Sequence, residues 1–356
     1  MLLEGKRVLV TGGTGSLGQV LVRRLLKGDA GTPESIVVFS RDEAKQHQMR
    51  LNYQKLAAST DEIIYENFKR KLRFRIGDVR AYADVCGALR DVDIVFNTAA
   101  LKQVPTCEYF PDQAFATNVG GAQNIAQAIR DLRLPVETVV AISTDKACKP
   151  VNVMGLTKAI MERVFIAAAL QLEKTRFLIV RYGNVISSRG SVIPLFLEQI
   201  GHGGPVTLTD AGMTRFLISL DQAVDTIFTA LRDGRTGETY VPTCAAASVP
   251  DIAKALIGDR DIPVIVTGIR PGEKLHEILI SEEEMRHVQR RGSHFAISAM
   301  LPEIATTPVE TPHDLPFEYS SRNSVGTFEE TRQLLARNGL LEQPEAMARP
   351  HEDLLR

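Results

Sequence analysis

The chain has 356 residues and is nearly neutral, with 42 Lys and Arg against 43 Asp and Glu. This balance gives no electrostatic basis for binding nucleic acid or an anionic membrane, so we expect neither as a partner. The 4 cysteines include no C-x-x-C pair, which predicts reduced thiols and no metal site. The sequence shows neither a signal peptide nor an apolar run long enough to span a bilayer, and we expect a cytoplasmic protein.

Short apolar runs alternate with helical patterns through the first half of the chain. They predict strands near residues 7–11, 36–40, 72–76, 93–97, 137–143 and 176–181. This alternation indicates an α/β fold, a doubly wound parallel sheet of the Rossmann type with helices on both faces. Residues 42–71 exceed an ordinary crossover, so we expect an insertion or an extra helix around residues 57–66.

After Asn184 the elements become shorter and prolines and mixed loops more frequent. We therefore expect a dinucleotide-binding domain at residues 1–183 and a smaller substrate-binding lobe, mainly residues 184–300, which can return strands to the sheet. A loop rich in proline and threonine, residues 301–317, and a helix at 327–338 belong to a C-terminal extension, residues 301–356. This extension is a candidate for contacts between subunits.

The first predicted strand, RVLVT, is followed by GGTGSLG and then by the helical pattern VLVRRLL. Gly12 permits a tight turn, Gly15 lets the backbone approach a pyrophosphate, and Gly18 packs the helix against the strand. The helix N-terminus supplies free N–H groups for the phosphates. A glycine triplet alone also fits a surface loop, but its position between strand and helix predicts a dinucleotide site. The expected contacts include the residues of this turn, Gly12, Thr14, Gly15, Ser16, Leu17 and Gly18.

The end of the second strand bears on the choice of cofactor. Strand IVVFS ends in Ser40, and Arg41 and Lys45 follow it. An arginine here accommodates the 2′-phosphate of NADP, whereas an acidic residue would bind the free 2′-hydroxyl of NAD. Arg41 and Lys45 therefore favour NADP, the alternative being that they are solvated charges beside Asp42 and Glu43. Asp78 and Val79, which follow the strand LRFRI, are expected at the adenine edge.

Residues 143–158 read STDKACKPVNVMGLTK, which resembles the catalytic segment of a short-chain dehydrogenase/reductase with Met154 in place of the usual tyrosine. In the usual Tyr-x-x-x-Lys pair, the lysine lowers the pKa of a phenol one helical turn away. Met154 and Lys158 keep this spacing, but a thioether takes up no proton. Proton transfer then falls to Asp145 and Lys146. The alternative, a surface ion pair, is disfavoured by their position at the carboxyl end of the strand TVVAIS.

The segments TGGTGSLG, AALKQVPTCEYFP, STDKA, P-x-N-x-M-G-x-x-K, VRYGNVISSRGSVIPLF, MTRFLISLDQAVD and RPGEKLHEILI extend the resemblance over about residues 5–285. Together they resemble the extended short-chain dehydrogenase/reductases that dehydrate UDP-N-acetylglucosamine at C4 and C6. Methionine at the tyrosine position is similar to the soluble capsule- and O-antigen-type enzymes, which invert C5; the flagellin-glycan branch carries tyrosine. The resemblance implies NADP as cofactor, UDP-N-acetylglucosamine as substrate and a homo-oligomer between a dimer and a hexamer.

Chemical roles follow from residue types within this resemblance. Lys146 is the candidate base at C5, with a pKa lowered toward neutrality by desolvation and nearby cations. Asp145 is the candidate acid at the C6 hydroxyl, and Asp145, Lys146 or a bound water takes the C4 hydroxyl proton. Ser143 or Thr144 would hydrogen-bond the C4 oxygen, and Lys158 would hold the nicotinamide ribose.

The remaining candidates surround this centre. Ala99 and Ala100, after the fourth strand, are expected beside the nicotinamide. By resemblance, substrate contacts come from Lys102, Asn184, Ser191, Val192, Pro194, Arg215, Arg270 and Glu273, with Ser191, Val192 and Pro194 at the uracil. The alternatives are that Lys102 is a solvated loop lysine and that Arg215 and Arg270 pair with Asp210 and Glu273. Asn118 either anchors a water relay or simply caps or bends its helix. His276 and Glu277 point apart as sequence neighbours, which predicts surface positions.

Three further interpretations stay open. The chain can be a C5-retaining dehydratase, or a nucleotide-sugar 4-epimerase, which shares the first hydride transfer but needs no base at C5. It can also be an NADP-sensing protein with a degenerate site. Retention of Asp145 and Lys146 together with the nucleotide-lobe motifs favours an enzyme over a sensor, because a sensor has no need of them.

Overall fold

The computed structural model describes residues 1–55, 62–186, 188, 190–304 and 315–341. In chain order the strands are β1 (Arg7–Thr11), β2 (Ser35–Ser40), β3 (Leu72–Ile76), β4 (Ile94–Asn97), β5 (Thr138–Ile142), β6 (Arg176–Val180), β7 (Asn184–Val185), β8 (Val206–Leu208), β9 (Thr214–Ile218), β10 (Thr239–Pro242), β11 (Ala245–Ser248), β12 (Val264–Val266), β13 (Ile278–Ile280), β14 (Val288–Arg291), β15 (His294–Ile297) and β16 (Tyr319–Ser320).

The α-helices are α1 (Ser16–Lys27), α2 (Glu43–Lys55), α3 (Glu62–Lys71), α4 (Tyr82–Ala88), α5 (Val104–Tyr109), α6 (Pro111–Phe115), α7 (Gly121–Asp131), α8 (Val153–Gln171), α9 (Val192–Gly201), α10 (Leu220–Asp233), α11 (Val249–Ile257) and α12 (Phe328–Arg337). A π-helical segment, Ala116–Gly120, precedes α7, and short 3₁₀ turns occupy Asp145–Ala147, Met285–His287 and Ser321–Ser324. No helix among these described residues has the length and apolar character needed to cross a membrane.

A nine-stranded sheet organises the molecule, in the order β14-β15-β10-β6-β5-β4-β1-β2-β3. Strands β1 to β6 and β10 pair in parallel, and β15 and β14 add antiparallel at one edge. The arrangement of β1 to β6 is the strand order of a Rossmann fold, so the predicted fold class is confirmed. The order reverses between β1 and β4, and ligands of such sheets bind outside the carboxyl ends of the strands at that place.

Alternate strand residues supply two hydrophobic cores, one on each face of the sheet. Val8 and Val10 of β1 pack with α1, α2, α3 and α10, whereas Leu9 faces the opposite way, toward α4, α7 and α8. Strand β5 is buried along its whole length, as expected of a parallel strand covered on both faces. Residues of one strand therefore hold helices on both sides of the sheet.

The chain after Asn184 contributes to the large sheet and to three smaller ones. Strands β10, β14 and β15 join the nine-stranded sheet, while β7-β9-β11, β8-β12 and β13-β16 form separate sheets. A third core gathers residues of α9, α11 and α12. The chain after Asn184 thus extends one edge of the large sheet and also builds three smaller sheets.

Most predicted elements match the structure within a residue or two. The insertion or extra helix predicted around residues 57–66 overlaps α3 at residues 62–66, and residues 56–61 lie outside the described part. The helix predicted at 327–338 is α12, capped by a reciprocal pair of hydrogen bonds between Thr327 and Glu330. Of the predicted C-terminal extension, residues 305–314 and 342–356 also lie outside the described part.

Candidate active site

The glycine turn lies at the carboxyl end of β1, where the strand order reverses. Gly12 has φ +65°, and a β-carbon there would lie 2.8 Å from the Cα of Ala99. A β-carbon on Gly18 would lie 2.6 Å from the Cα of Gly13, so this glycine is required for close packing. Gly15 caps α1, and a β-carbon there meets only the carbonyl oxygen of Gly12, at 3.3 Å. The backbone at Gly15 is therefore open to a phosphate at a helix N-terminus. Thr14 is buried, and Ser16 and Leu17 begin α1.

The side chains after β2 meet the loop after β3. The guanidinium of Arg41 is half-exposed and lies 3.6 Å from Oδ2 of Asp78. Lys45 pairs with Asp42 at 2.8 Å, as the alternative interpretation has it. The carbonyl of Ser40 accepts the N–H of Gly77 at 3.1 Å. Of the two predicted 2′-phosphate ligands, Lys45 is therefore paired with the nearby Asp42. Arg41 contacts Asp78 instead of its sequence neighbour Asp42.

Val79 completes this edge of the site and is buried. Its carbonyl accepts a hydrogen bond from Asn124 of α7 at 2.8 Å. Asp78 is further held by Arg80, 2.6 Å away, which together with Arg41 keeps the pKa of the carboxyl below its usual value despite partial burial. Asp78 is thus a charged acceptor beside Arg41.

The loop after β4 joins the glycine turn to the rest of the site. Ala99 donates its N–H to Oγ1 of Thr11 at 3.2 Å, and both Ala99 and Ala100 are partly buried. Asn118 accepts the N–H of Leu101 at 2.9 Å and donates to Oγ1 of Thr157 at 3.0 Å. Asn118 therefore ties this loop to α8 and does not cap a helix. Lys102 is exposed, and the next side chain, Gln103, lies against Gly190.

Asp145 and Lys146 stand in a 3₁₀ turn directly after β5. Thr144 caps this turn and donates its hydroxyl to Oδ1 of Asp145 at 2.7 Å. The Asp145 side chain is 0% exposed, and that of Lys146 is 20% exposed. Nζ of Lys146 lies 3.1 Å from Oδ1 of Asp145, while Oδ2 is buried without a hydrogen-bond partner. This is a buried ion pair at the carboxyl edge of the sheet, not a surface pair.

Glu277 is a member of this cluster that sequence reasoning missed. Its side chain is 2% exposed, and Oε1 lies 3.3 Å from Nζ of Lys146. Its second oxygen, Oε2, is buried without a hydrogen-bond partner. The predicted surface position of Glu277 is therefore wrong. Adjacent residues do point apart, but this means that one of the two faces inward. The buried strand β13, which begins at the next residue, was the available signal that Glu277 is the inward one.

The two carboxylates change the expected acid–base state of Lys146. Burial by itself would lower the Lys146 pKa, but Asp145 and Glu277 outweigh both burial and the nearby Arg215. The pKa is consequently raised above its usual value, and the predicted shift toward neutrality is wrong for this state of the site. Lys146 is an ammonium until a proton is moved elsewhere.

Lys158 and Met154 occupy one buried face of α8. The Lys158 ammonium donates to the carbonyl of Ile142, at the end of β5, and burial lowers its pKa to about 8 against the opposing charge of Glu162. Met154 is 4% exposed and packs in a small cluster with Cys107 and Ala114. At the usual tyrosine position the chain therefore places apolar packing against α5 and α6.

A buried ionic network lies behind the 3₁₀ turn of Asp145 and Lys146. Arg181 binds Glu162 and Glu284, with nitrogen–oxygen distances of 2.7 Å and 2.8 Å, and all three side chains are nearly inaccessible. The hydroxyl of Ser143 donates to Glu162. Ser143 is thereby engaged away from any ligand, so Thr144 is the better placed of the two predicted hydroxyls.

The predicted nucleotide ligands lie on the smaller lobe. Ser191 caps α9, Val192 begins it and Pro194 lies in its first turn. Asn184 of β7 pairs with β9, and its Oδ1 is buried without a hydrogen-bond partner. Arg270 is exposed in the loop before β13, and Glu273 accepts its backbone N–H at 3.3 Å.

Arg215 of β9 reaches the 3₁₀ turn of Asp145 and Lys146 through Glu277. It is mostly buried, donates to the carbonyls of Thr214 and Leu275 at 2.7 Å and 3.1 Å, and places Nε 3.9 Å from Oε1 of Glu277. Its acidic neighbour is therefore Glu277 and not Asp210. The structure brings Asp145, Lys146 and Arg215 together and leaves Arg270 outside this contact. Over the described ranges, no group of three or more His, Cys, Asp or Glu side chains is arranged to hold a metal.

The chain is similar to known proteins over most of its length. It is 43% identical over 297 residues to a UDP-glucose 4-epimerase of Rickettsia bellii, covering 82% of either chain. The solved structure of Pen from Bacillus thuringiensis is 32% identical, with a TM-score of 0.84, and the match covers 96% of this chain and 100% of Pen.

A more distant likeness is to the dTDP-glucose 4,6-dehydratase DesIV of Streptomyces venezuelae, solved with NAD and TYD bound. That match has 25% identity and a TM-score of 0.62, and it covers 76% of this chain and 86% of DesIV. A family model described as "Polysaccharide biosynthesis protein" matches residues 8–299. The chain belongs to this polysaccharide biosynthesis family.

Proposed function

We propose that the protein is an NADP-dependent UDP-N-acetylglucosamine 4,6-dehydratase. Its product would be UDP-2-acetamido-2,6-dideoxy-4-keto-hexose, with inversion at C5, for surface polysaccharide or glycan biosynthesis. The observation that carries this proposal is the buried pair Asp145–Lys146 beside a site in which methionine replaces the usual tyrosine. A buried pair with one carboxylate oxygen unpaired suits proton transfer better than it suits stability.

The residues around the glycine turn fit a nicotinamide dinucleotide. The backbone at Gly15 is open to a pyrophosphate, and Ala99, packed on Gly12, flanks the nicotinamide side. Arg41 would bind the 2′-phosphate of NADP, and Lys158 the nicotinamide ribose. When bound, the cofactor would supply hydride acceptance at C4 and hydride donation at C6.

The protein groups would divide the proton transfers between them. Asp145 takes the C4 hydroxyl proton as C4 is oxidised, and Thr144 hydrogen-bonds the C4 oxygen. The ketone acidifies C5–H, which Lys146 removes as an amine. Asp145 then gives its proton to the C6 hydroxyl, which leaves as water. General acid–base steps of this kind contribute about 10² to 10⁴ in rate.

Substrate binding would fall to the smaller lobe. Arg215 and Arg270 carry the planar guanidinium groups that suit a diphosphate, and the start of α9 at Ser191, Val192 and Pro194 would line the uracil. Asn184 offers a buried amide oxygen without a hydrogen-bond partner, and Lys102 and Glu273 are further candidates. Inversion at C5 is carried over from the resemblance of Met154 and its neighbours to the soluble capsule- and O-antigen-type enzymes.

A 4-epimerase is the second candidate function, because the Rickettsia bellii relative bears that name. An epimerase shares the oxidation at C4 but needs neither a base at C5 nor an acid at C6. The cluster of Asp145, Lys146 and Glu277 favours dehydration for this reason. The same cluster is unnecessary in an NADP-sensing protein.

Proton NMR of a reaction in deuterated water tests these functions. The protein is incubated with UDP-N-acetylglucosamine and NADP⁺, and we expect a 6-methyl signal, loss of the 6-hydroxyl and deuterium at C5. The signals of the new sugar also report the C5 configuration. Formation of the C4 epimer without C5 deuterium would identify an epimerase. Binding of NADP without turnover of the sugar would identify the protein as an NADP sensor.

A further inference from the structure

Lys146 is held by two buried carboxylates, although the proposed elimination calls on only one of them. Asp145 and Glu277 lie 3.1 Å and 3.3 Å from its Nζ, and each keeps one buried oxygen without a hydrogen-bond partner. Leaving a buried polar atom unpaired is costly, so such atoms call for an explanation. Glu277 comes from the loop before β13, far along the chain from the catalytic turn.

Counting protons shows what the second carboxylate is needed for. Lys146 must be an amine to remove the C5 proton, but between two carboxylates it is an ammonium. Under the proposed function Asp145 takes the C4 hydroxyl proton, so it cannot also store the proton of Lys146. Within the described residues, the other acidic partner of the Lys146 ammonium is Glu277.

On the basis of the proposed function, we propose that Glu277 is a positioning residue for Lys146. Its carboxylate accepts a proton from the Lys146 ammonium. The resulting amine is then free to remove the C5 proton. The N–H bond of Lys146 breaks and an O–H bond forms on Glu277, so the net charge of the pair stays constant. After the elimination, C5 takes up a solvent proton on its opposite face. Glu277 then returns one to solvent, which restores the ammonium–carboxylate pair.

The charged groups around Glu277 set the balance of this transfer. They are Asp145 and Lys146 from the 3₁₀ turn, Arg215 from β9, and Lys274 and His276 from its own loop. Arg215 opposes protonation of Glu277, since its Nε is 3.9 Å from Oε1. Under the proposed function Arg215 also faces the substrate diphosphate. The negative charge of a bound diphosphate would offset that of Arg215 and so favour proton transfer from Lys146 to Glu277 once the substrate is bound.

The variant Glu277→Gln tests the proposal, because it keeps the shape of the side chain and removes its basicity. In the wild type the proton passes from Lys146 to Glu277 before the elimination without going to solvent, so we expect kcat to be flat across neutral pH. In Glu277→Gln the proton must leave to solvent. The kcat should then fall by about 10²- to 10⁴-fold at neutral pH and recover about tenfold for each pH unit toward alkaline pH.

A purely electrostatic or structural role gives the opposite result. Loss of a carboxylate that only stabilised the ammonium would lower the Lys146 pKa and leave more free amine at neutral pH. A Glu277→Gln enzyme with unchanged or higher neutral kcat, or with a flat pH profile, would therefore overturn the proposal. Deuterium uptake at C5 should follow the same pH dependence as kcat.

Two further variants keep the test decisive. Glu277→Asp retains a carboxylate and should keep the flat profile at reduced kcat, and it carries the test if Glu277→Gln does not fold; a steep profile in Glu277→Asp would contradict the proposal. Glu318→Gln removes a carboxylate that pairs with Lys149 at 2.7 Å, outside the cluster, and should leave the profile unchanged. The wild-type product decides separately whether the enzyme is a dehydratase at all.

Discussion

Gly155 and Lys146 are in direct contact: a β-carbon on Gly155 would overlap the carbonyl oxygen of Lys146. The first turn of α8 therefore packs directly against the 3₁₀ turn that carries Asp145 and Lys146. Asn152 caps this helix by accepting the N–H of Gly155 at 2.7 Å. Glycine is required at position 155 because α8 packs directly against this turn. The contact lets the helix determine the position of the turn that carries Asp145 and Lys146.

Replacing Gly155 by alanine should displace this turn. The added methyl group meets backbone and cannot be accommodated by a flexible side chain, and overpacking of this kind costs about 1–3 kcal/mol. We expect a lower melting temperature together with a lower kcat, measured by thermal unfolding and the dehydration assay. Gly201→Ala is the matched control, because a β-carbon there has nothing within 4 Å. Normal kcat in Gly155→Ala would show that the turn is not positioned by α8.

The strands and the glycine turn were predictable because they depend on local patterns. Apolar runs fix β1 to β6, and Gly12, Gly15 and Gly18 have the required spacing in sequence. The environment of Lys146 depends instead on a loop more than a hundred residues away. The start of β13 at the next residue indicates at most that Glu277 faces inward, whereas its contact with Lys146 and the raised pKa of Lys146 required the fold.

The buried network of Arg181, Glu162 and Glu284 could not be predicted from local patterns either. Ser143 was a reasonable candidate to bind a ligand, since it ends the run TVVAIS. Its hydroxyl is taken by Glu162, from the middle of α8, and Glu162 in turn binds Arg181 at the end of β6. Only the packing of α8 on the sheet reveals that partnership.

Lys146→Met should abolish dehydration and leave NADP binding nearly intact, because under the proposed function Lys146 acts on the sugar. The expected loss in kcat is about 10²- to 10⁴-fold. Cofactor titration and the NMR assay measure the two effects separately. Lys149→Met removes an outlying lysine that pairs with Glu318 and should retain turnover. If Lys146→Met keeps more than about a tenth of the wild-type rate, a smaller effect than general base catalysis commonly gives, the assignment of the base is refuted.

Arg41→Ala should weaken NADP much more than NAD. Only NADP presents a 2′-phosphate, and a charge-assisted contact to it is worth about 1.5–3 kcal/mol, or roughly ten- to a hundredfold in Kd. Titration of both cofactors against wild type and variant measures the difference. Arg70→Ala, an exposed arginine of α3, serves as the control. Equal losses for NAD and NADP would mean that Arg41 is structural.

Arg181→Met should destabilise the fold in a pH-dependent manner. Burial alone would raise the Glu284 pKa, but Arg181 outweighs it and holds that pKa below its usual value of 4.5. The stabilisation by this pair is therefore present above that value and is lost as the pH falls through the lower pKa of the folded state. Removing the arginine leaves two buried carboxylates and should cost about 3–5 kcal/mol at neutral pH.

Denaturant unfolding of wild type and Arg181→Met at several pH values tests this expectation. Acid protonates the unpaired carboxylates of Glu162 and Glu284, so the difference in unfolding free energy should shrink as the pH is lowered. The matched change Arg232→Met removes an exposed arginine and should show neither effect. A deficit that stays constant with pH would place the damage in packing rather than in charge.

Met154 tests whether acid–base chemistry has left the tyrosine position. It packs against Cys107 and Ala114, so under the proposed function we expect it to serve as an apolar filler that helps keep water from the site. Met154→Leu is close in volume and should be nearly harmless. Met154→Tyr should not raise kcat, because the phenol has no step to perform and its bulk must enter a space filled by protein. Steady-state assays of both variants decide the matter: about a tenfold gain with tyrosine, the scale of an added proton-transfer group, or near-complete loss with leucine would mean that the proton transfers are not divided between Asp145 and Lys146.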